Sequence, residues 1–340
     1  MRYKLPMRLS AALAFFLCTF FSAIIAYIYY RTSKFDNDFS VYWRTAHQPL
    51  SAVYHWSGRF PFPYAPTMLL WISPLAYIPR WPAFAIWTVI SVCALVLAYR
   101  QYLRGPEIGL MLISPPVMRG LSTGQVCAVL AALTLWACRT ANRTGAGIAF
   151  GIIASVKPQL VVMAPVMMAF NQDWRALRAA GLTFAATLAF SLLLFGPERW
   201  PEWLASMDHF RHMVLDTGIV SIATSPAAVA QYFGFAPLPF MFLGTLAGIG
   251  IVYLNRDGDP LEKTAAITLG SIMAAPYALV YDLTAVVPLL VLAVFQGRFL
   301  PGIAMATGFH PLPLLVSAWE LVRRSVPPIR WRPARRLAPQ

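Results

Sequence analysis

Residues 11–30, AALAFFLCTFFSAIIAYIYY, run directly into residues 31–64, RTSKFDNDFSVYWRTAHQPLSAVYHWSGRFPFPY, and this junction decides how the chain folds. An apolar run of about 20 residues makes a helix about 30 Å long, the thickness of a bilayer's hydrocarbon core. The first run therefore spans a membrane, and residues 31–64 emerge at the far surface as the first long polar interruption. That loop carries two acids, Asp36 and Asp38, beside Phe39, Tyr42 and Trp43, with His47 and His55 following. A wet interfacial loop with aromatic anchors is its plainest reading.

Composition extends the membrane reading to the whole chain. The 340 residues are 59% hydrophobic and 12% charged, against about 25% charged in soluble domains. The 28 prolines suit membrane helices that bend or break. A formal charge of +14 raises nucleic acid as a partner, but the basic residues sit at the ends of apolar runs and between Arg323 and Arg336. That distribution anchors helices to anionic lipid on the cytoplasmic side and excludes nucleic acid. Cys18, Cys93, Cys127 and Cys138 all lie in apolar runs, so no disulfide framework is expected, and they lack metal-ligand spacing. The first apolar run exceeds a signal-peptide core and no cleavage site follows, so a retained helix with a cytoplasmic N-terminus is expected.

Later runs are shorter and interrupted. Residues 65–79 are too short to span and hold Pro74, which predicts a re-entrant or internally packed segment. Residues 82–99 form a clearer span ending at Arg100 and Arg104. The run 145–170 is broken by Lys157–Pro158–Gln159, and the residue before a proline is pushed out of the α region, so a helix should end at Lys157. Residues 197–221 carry Trp200, Trp203, Leu204, Met207 and Phe210 at helical spacing, which predicts an outer interfacial helix. With 65–79 not spanning, Arg100, Arg104, Arg139, Arg143, Arg175 and Arg178 all face the cytoplasm. The expected fold is all-α: a single polytopic transmembrane bundle over 1–340, of roughly 9–11 membrane segments including short broken or re-entrant helices. Its landmarks are a first outer loop at 31–64, an outer interfacial loop at 197–221 and a basic cytoplasmic tail at 320–340.

This topology gathers Asp36, Asp38, Gln125, Lys157, Gln159, Tyr281 and Asp282 on the outer face. A lysine at membrane depth costs about 2.5–3.5 kcal/mol on insertion scales and marks a functional site unless it snorkels or pairs, here with Asp282. Tyr281–Asp282 also reads as a helix end with a capping carboxylate. No P-loop, HExxH, GxSxG or dinucleotide fingerprint is present. A secondary transporter would bury the same residue types, but at the midplane and with repeat symmetry. A structural subunit would need no convergent polar set.

The order of the motifs resembles glycosyltransferase family 87. Asp38-Phe39-Ser40-Val41-Tyr42-Trp43 is similar to that family's opening motif. Phe62-Pro63-Tyr64-Ala65-Pro66-Thr67, Pro74-Leu75-Ala76, Gly124-Gln125, Lys157-Pro158-Gln159-Leu160 and Tyr281-Asp282-Leu283 follow in its order. Ser122-Thr123 stands where the family more often has an asparagine. The resemblance implies a GT-C architecture with its active site at the outer membrane surface. It also implies an inverting mannosyltransferase that uses a polyprenyl-phosphate-linked sugar and a glycolipid or polysaccharide acceptor, with Asp38 as catalytic base. The expected substrate-binding set is Asp36, Tyr42, Tyr64, Gln125, Lys157, Gln159, Tyr281 and Asp282. Attack on an anomeric carbon needs a base for the acceptor hydroxyl and positive charge where the departing phosphate gathers negative charge. Asp38 suits the first need and Lys157 the second. Asp36-Asn37-Asp38 admits a DxD metal reading, but a monophosphate leaving group beside Lys157 makes a metal unnecessary, and no cofactor is expected. In an extended segment, acids two residues apart face opposite sides, which separates Asp36 from Asp38.

Overall fold

The computed structural model describes residues 5–33, 37–55, 60–216, 223–307 and 311–325. Among them the secondary structure is helical apart from one isolated antiparallel bridge, Ala223 to Leu279. The chain is thus the all-α polytopic bundle its apolar runs predict. In order the helices are α1 (Leu5–Ser33), α2 (Asp38–His47), α3 (Leu69–Ile72), α4 (Arg80–Tyr99), α5 (Gly105–Ile113), α6 (Pro115–Thr123), α7 (Cys127–Arg139) and α8 (Arg143–Val156). They continue as α9 (Ala164–Phe170), α10 (Trp174–Phe195), α11 (Arg199–Asp216), α12 (Pro226–Tyr232), α13 (Pro237–Leu254), α14 (Pro260–Ala274), α15 (Val287–Phe295), α16 (Phe299–Thr307) and α17 (Leu312–Ser325).

Four of these are long and apolar enough to cross a bilayer singly: α1 over Leu9–Tyr27, α4, α10 and α13. They sit at the periphery with mostly exposed apolar faces, as lipid contact requires. The others are short, and prolines set many of their limits. Residues 65–79 form a chain of turns, Pro66–Met68, α3 and Ser73–Tyr77, with Pro66 and Pro74 each opening a 3₁₀ turn. α6 and α7 together have spanning character but meet at a 119° bend. α8 stops at Lys157, whose φ of −149° and ψ of 75° lie outside the α region, as the following proline demands.

Short helices pack inside because small residues let backbones approach. Gly147 and Gly151 of α8 face α10, where a Cβ on Gly151 would stand 2.7 Å from the Ala180 carbonyl oxygen. Only glycine admits this crossing, and it holds α8 rigidly against a spanning helix. α8 is 14 residues, about 21 Å long. Its two ends therefore lie at different membrane depths. One end carries Arg143, paired with Asp173 at 3.5 Å, close to Arg139 at the end of α7. At the other end, Lys157 and the start of α7 meet α2 and residues 280–285.

α17 continues helically through Ser325, so residues 320–325, expected as the start of a polar tail, belong to the bundle. Glu320 is buried there and pairs with Arg298, with Arg323 at 3.7 Å. Residues 326–340 lie outside the described residues.

Candidate functional site

The site is assembled from helix ends and turns. Asn37 starts α2: its side-chain Oδ1 accepts from the Ser40 N–H at 2.9 Å, and its own N–H donates to Ser40 Oγ at 3.2 Å. This reciprocal cap fixes Asp38 at the first helical position. The segment is therefore helical from Asp38 onward, and the extended geometry considered for the two acids does not extend past Asn37. Asp36 lies outside the described residues. Phe39, Val41 and Tyr42 bury into the main core and lock α2 in place.

Facing α2 is the turn between α6 and α7. The Gln125 N–H donates to Gly120 O at 2.8 Å and the Gly124 N–H to Leu121 O at 3.2 Å, a Schellman closure of α6. Gly124 sits at φ +73°, and a Cβ there would stand 2.5 Å from Phe39 Cβ. Left-handed backbone and close approach together require glycine at this point, and the turn delivers Gln125 to the centre of the site.

Gln125 is a hub. Its Oε1 accepts from the Tyr42 hydroxyl at 3.2 Å and the Tyr64 hydroxyl at 3.1 Å, while its Nε2 donates to the Tyr281 hydroxyl at 3.2 Å and to the Asp38 carboxylate. The two tyrosine hydroxyls are themselves 2.8 Å apart. An amide has two acceptor positions and two donors, and all four are taken. Gln125 thus orients Asp38 and three tyrosines at once. Thr123, one residue before Gly124, also donates to Asp38.

Beside this network is an ion pair. Lys157 Nζ lies 2.5 Å from Asp282 Oδ1, with side chains only 5% and 3% exposed. Cys127 Sγ sits between them, 3.4 Å from Lys157 Nζ and donating to Asp282 Oδ1 at 3.1 Å. Asp282 Oδ2 accepts the Leu279 N–H at 2.9 Å, so Asp282 caps the 3₁₀ turn Val280–Ala285 as well as pairing. The ammonium lies 4.9 Å from the centre of the Tyr281 ring. Of three N–H donors on Lys157, Asp282 and Cys127 engage two.

All these groups line one cavity of about 580 Å³. Asp38, Tyr42, Tyr64, Gln125, Lys157, Gln159, Tyr281 and Asp282 form its polar part, so each described residue of the expected set comes to the same place. The rest of the lining is apolar. Ala154, Val162 and Phe184 make a side wall, and Trp200, Trp203, Met207, Phe210 and Val214, one stripe of α11, make a roof. Leu204 alone of the expected interfacial residues points away, 62% exposed.

Burial pushes the Asp38 carboxyl above the usual carboxylate range, opposed by the hydrogen bonds from Gln125 and Thr123 and by the charges of Lys157 and Arg119. Two residues absent from the expected set enter here. Thr123 and Arg119 are one helical turn apart on α6, a spacing visible in the sequence, whereas Cys127 was hidden in an apolar run. A base must be ionised to act, so activity that depends on Asp38 is present above its raised pKa. It is lost as pH falls through that value, at higher pH than for an ordinary aspartate. Gln125→Glu places a second carboxylate beside Asp38 and should move this acidic limb further up, the apparent pKa then belonging to the pair. An unmoved limb in the pH–rate profile would remove Asp38 from the titration.

The sequence model of glycosyltransferase family 87 matches residues 62–281. No curated protein and no solved structure matches the chain. The matched span takes in Tyr64, Gln125, Lys157, Gln159 and Tyr281, begins after α2 and so leaves out Asp38, and stops one residue before Asp282.

Proposed function

The chain belongs to glycosyltransferase family 87 and is a multi-pass membrane glycosyltransferase; from that premise we propose that it transfers a mannosyl unit from a polyprenyl-phosphate donor to a glycolipid or polysaccharide acceptor, with inversion. In this reading residues 1–340 are one membrane domain of GT-C type, 31–64 and 197–221 lie outside, and the tail is cytoplasmic. The cavity faces the extracytoplasmic side of the cell membrane, opposite the end that carries Arg139 and Arg143.

The observation that carries this reading is the cavity's two-part lining. Its polar part sits at helix ends, and its side wall runs to the lipid-facing surface, where Val162 is 51% and Phe184 39% exposed. A donor whose phosphate meets Lys157 while its isoprenoid chain leaves along that wall satisfies both parts. Asp38 takes the proton from the acceptor hydroxyl as its oxygen attacks the anomeric carbon. The bond from that carbon to the phosphate oxygen breaks, and the lipid monophosphate leaves. One displacement inverts the configuration. The free N–H of Lys157 meets the charge that builds on the departing phosphate, so the reading invokes no metal. Transport would call for polar groups midway along the spans, whereas these lie at one end of α7 and α8.

Sealed right-side-out vesicles containing the protein, loaded with polyprenyl-phosphate mannose and given a membrane-impermeant mannoside acceptor, should yield the extended glycoside. Product only after permeabilisation would reverse the orientation, and no product in either state with several lipid-linked hexoses would sink the donor assignment.

A further inference from the structure

We propose that the corner of the cavity formed by Trp200, Trp203 and Phe60 is a saccharide subsite that holds a sugar ring of the acceptor, an inference that rests on the transfer reading above. Its first support is an orphan donor. The indole N–H of Trp200 is shielded from water in the cavity wall and has no acceptor among the described residues. A buried donor left without a partner is costly, and a native protein that keeps one at a ligand cavity has reason to.

Neighbouring contacts show that the corner is built rather than incidental. Trp203, edge-on to Trp200 with ring centres 5.7 Å apart, spends its own N–H on the Pro63 carbonyl at 3.2 Å. Arg199 is buried and ties the start of α11 to the first outer loop, donating to Leu50 O at 3.0 Å and pairing with Glu202 at 2.5 Å. Arg44 fixes the opposite wall by donating to Phe60 O at 2.8 Å. The two tryptophans are held against Phe60 with their orientations set, and only the Trp200 N–H is uncommitted.

The chemistry of that donor selects its ligand. An isoprenoid chain has no acceptor atom, and its outlet is the wall at Val162 and Phe184. A phosphate is drawn to Lys157, the cation of the polar part. What remains is an uncharged ligand that offers hydroxyl oxygens to an indole N–H and C–H faces to aromatic rings, which describes a sugar. The acceptor is the substrate whose hydroxyl must reach Asp38 from a side the donor lipid does not fill. The acceptor is accordingly a glycoside.

Trp200→Phe keeps the ring and deletes the donor. With the protein in lipid nanodiscs, free of glycoside detergents, the KM for a short-chain alkyl mannoside acceptor should rise about 3–10-fold, the range for one lost neutral hydrogen bond. The kcat and the KM for the lipid-linked donor should stay within about twofold. Saturation-transfer NMR of the same mannoside should weaken in the variant, with no donor present. An unchanged acceptor KM would leave the indole facing only water and overturn the subsite, as would a rise confined to the donor KM. If the wild-type protein bound the mannoside but transferred nothing from any lipid-linked sugar, the subsite would stand while the reaction reading fell.

Discussion

Asp38→Asn should cut the rate of sugar transfer by at least about 10²-fold while donor binding changes little. The amide keeps the size of the carboxyl and its place in the core beneath Phe39 and Tyr42, but it cannot take up a proton at neutral pH. Gln125 and Thr123 both donate to the native carboxylate. Two fixed donors on one side leave the remaining lone pairs for an acceptor hydroxyl, which is the geometry a base requires. The substitution also turns Gln125 from a donor facing an acceptor into an amide facing an amide, so some loss of order around Tyr42 and Tyr64 accompanies the loss of rate. Chemistry and order separate by experiment: donor affinity reports the second, single-turnover transfer the first. Normal turnover of the Asn variant with lipid-linked mannose would refute the assignment of the base.

Lys157→Met should fail twice over, in folding and in catalysis. From the sequence alone, removing this charge is a simple test, because a snorkelling lysine is replaceable by a chain of similar length. The structure changes that expectation. Asp282 is 3% exposed, and its Oδ1 lies 2.5 Å from the ammonium. Deleting the lysine strands a buried carboxylate, at a cost of about 3–5 kcal/mol. The double variant Lys157→Met/Asp282→Asn removes both charges and should recover most of the thermal stability that the single variant loses. Its transfer rate should nevertheless stay about 10²–10³-fold down, the range for one preorganised electrostatic contact. A double variant that regains activity together with stability would mean that the pair serves only to hold the 280–285 turn against α8.

Much of this was legible in the sequence, for reasons that can be stated residue by residue. Hydrophobic length alone determines that Leu9–Tyr27, α4, α10 and α13 span, because nothing but a continuous apolar helix satisfies its backbone in lipid. The end of α8 at Lys157 was readable because a proline acts on its neighbour's φ and ψ without help from the rest of the fold. Motif order brought Asp38, Tyr64, Gln125, Lys157 and Tyr281 under one heading although they lie far apart in the chain. Contacts across the bundle were not readable. That Gln125 meets Tyr42, Tyr64, Tyr281 and Asp38 depends on a left-handed glycine seated against Phe39. That Lys157 pairs with Asp282 through Cys127 depends on α7, α8 and the 280–285 turn ending at the same depth. The stripe on α11 shows the boundary most plainly. Periodicity gives it an apolar face, but periodicity is indifferent to whether lipid or a cavity lies beneath, and only the packing of Arg199 on Leu50 and Trp203 on Pro63 turns that face toward the site.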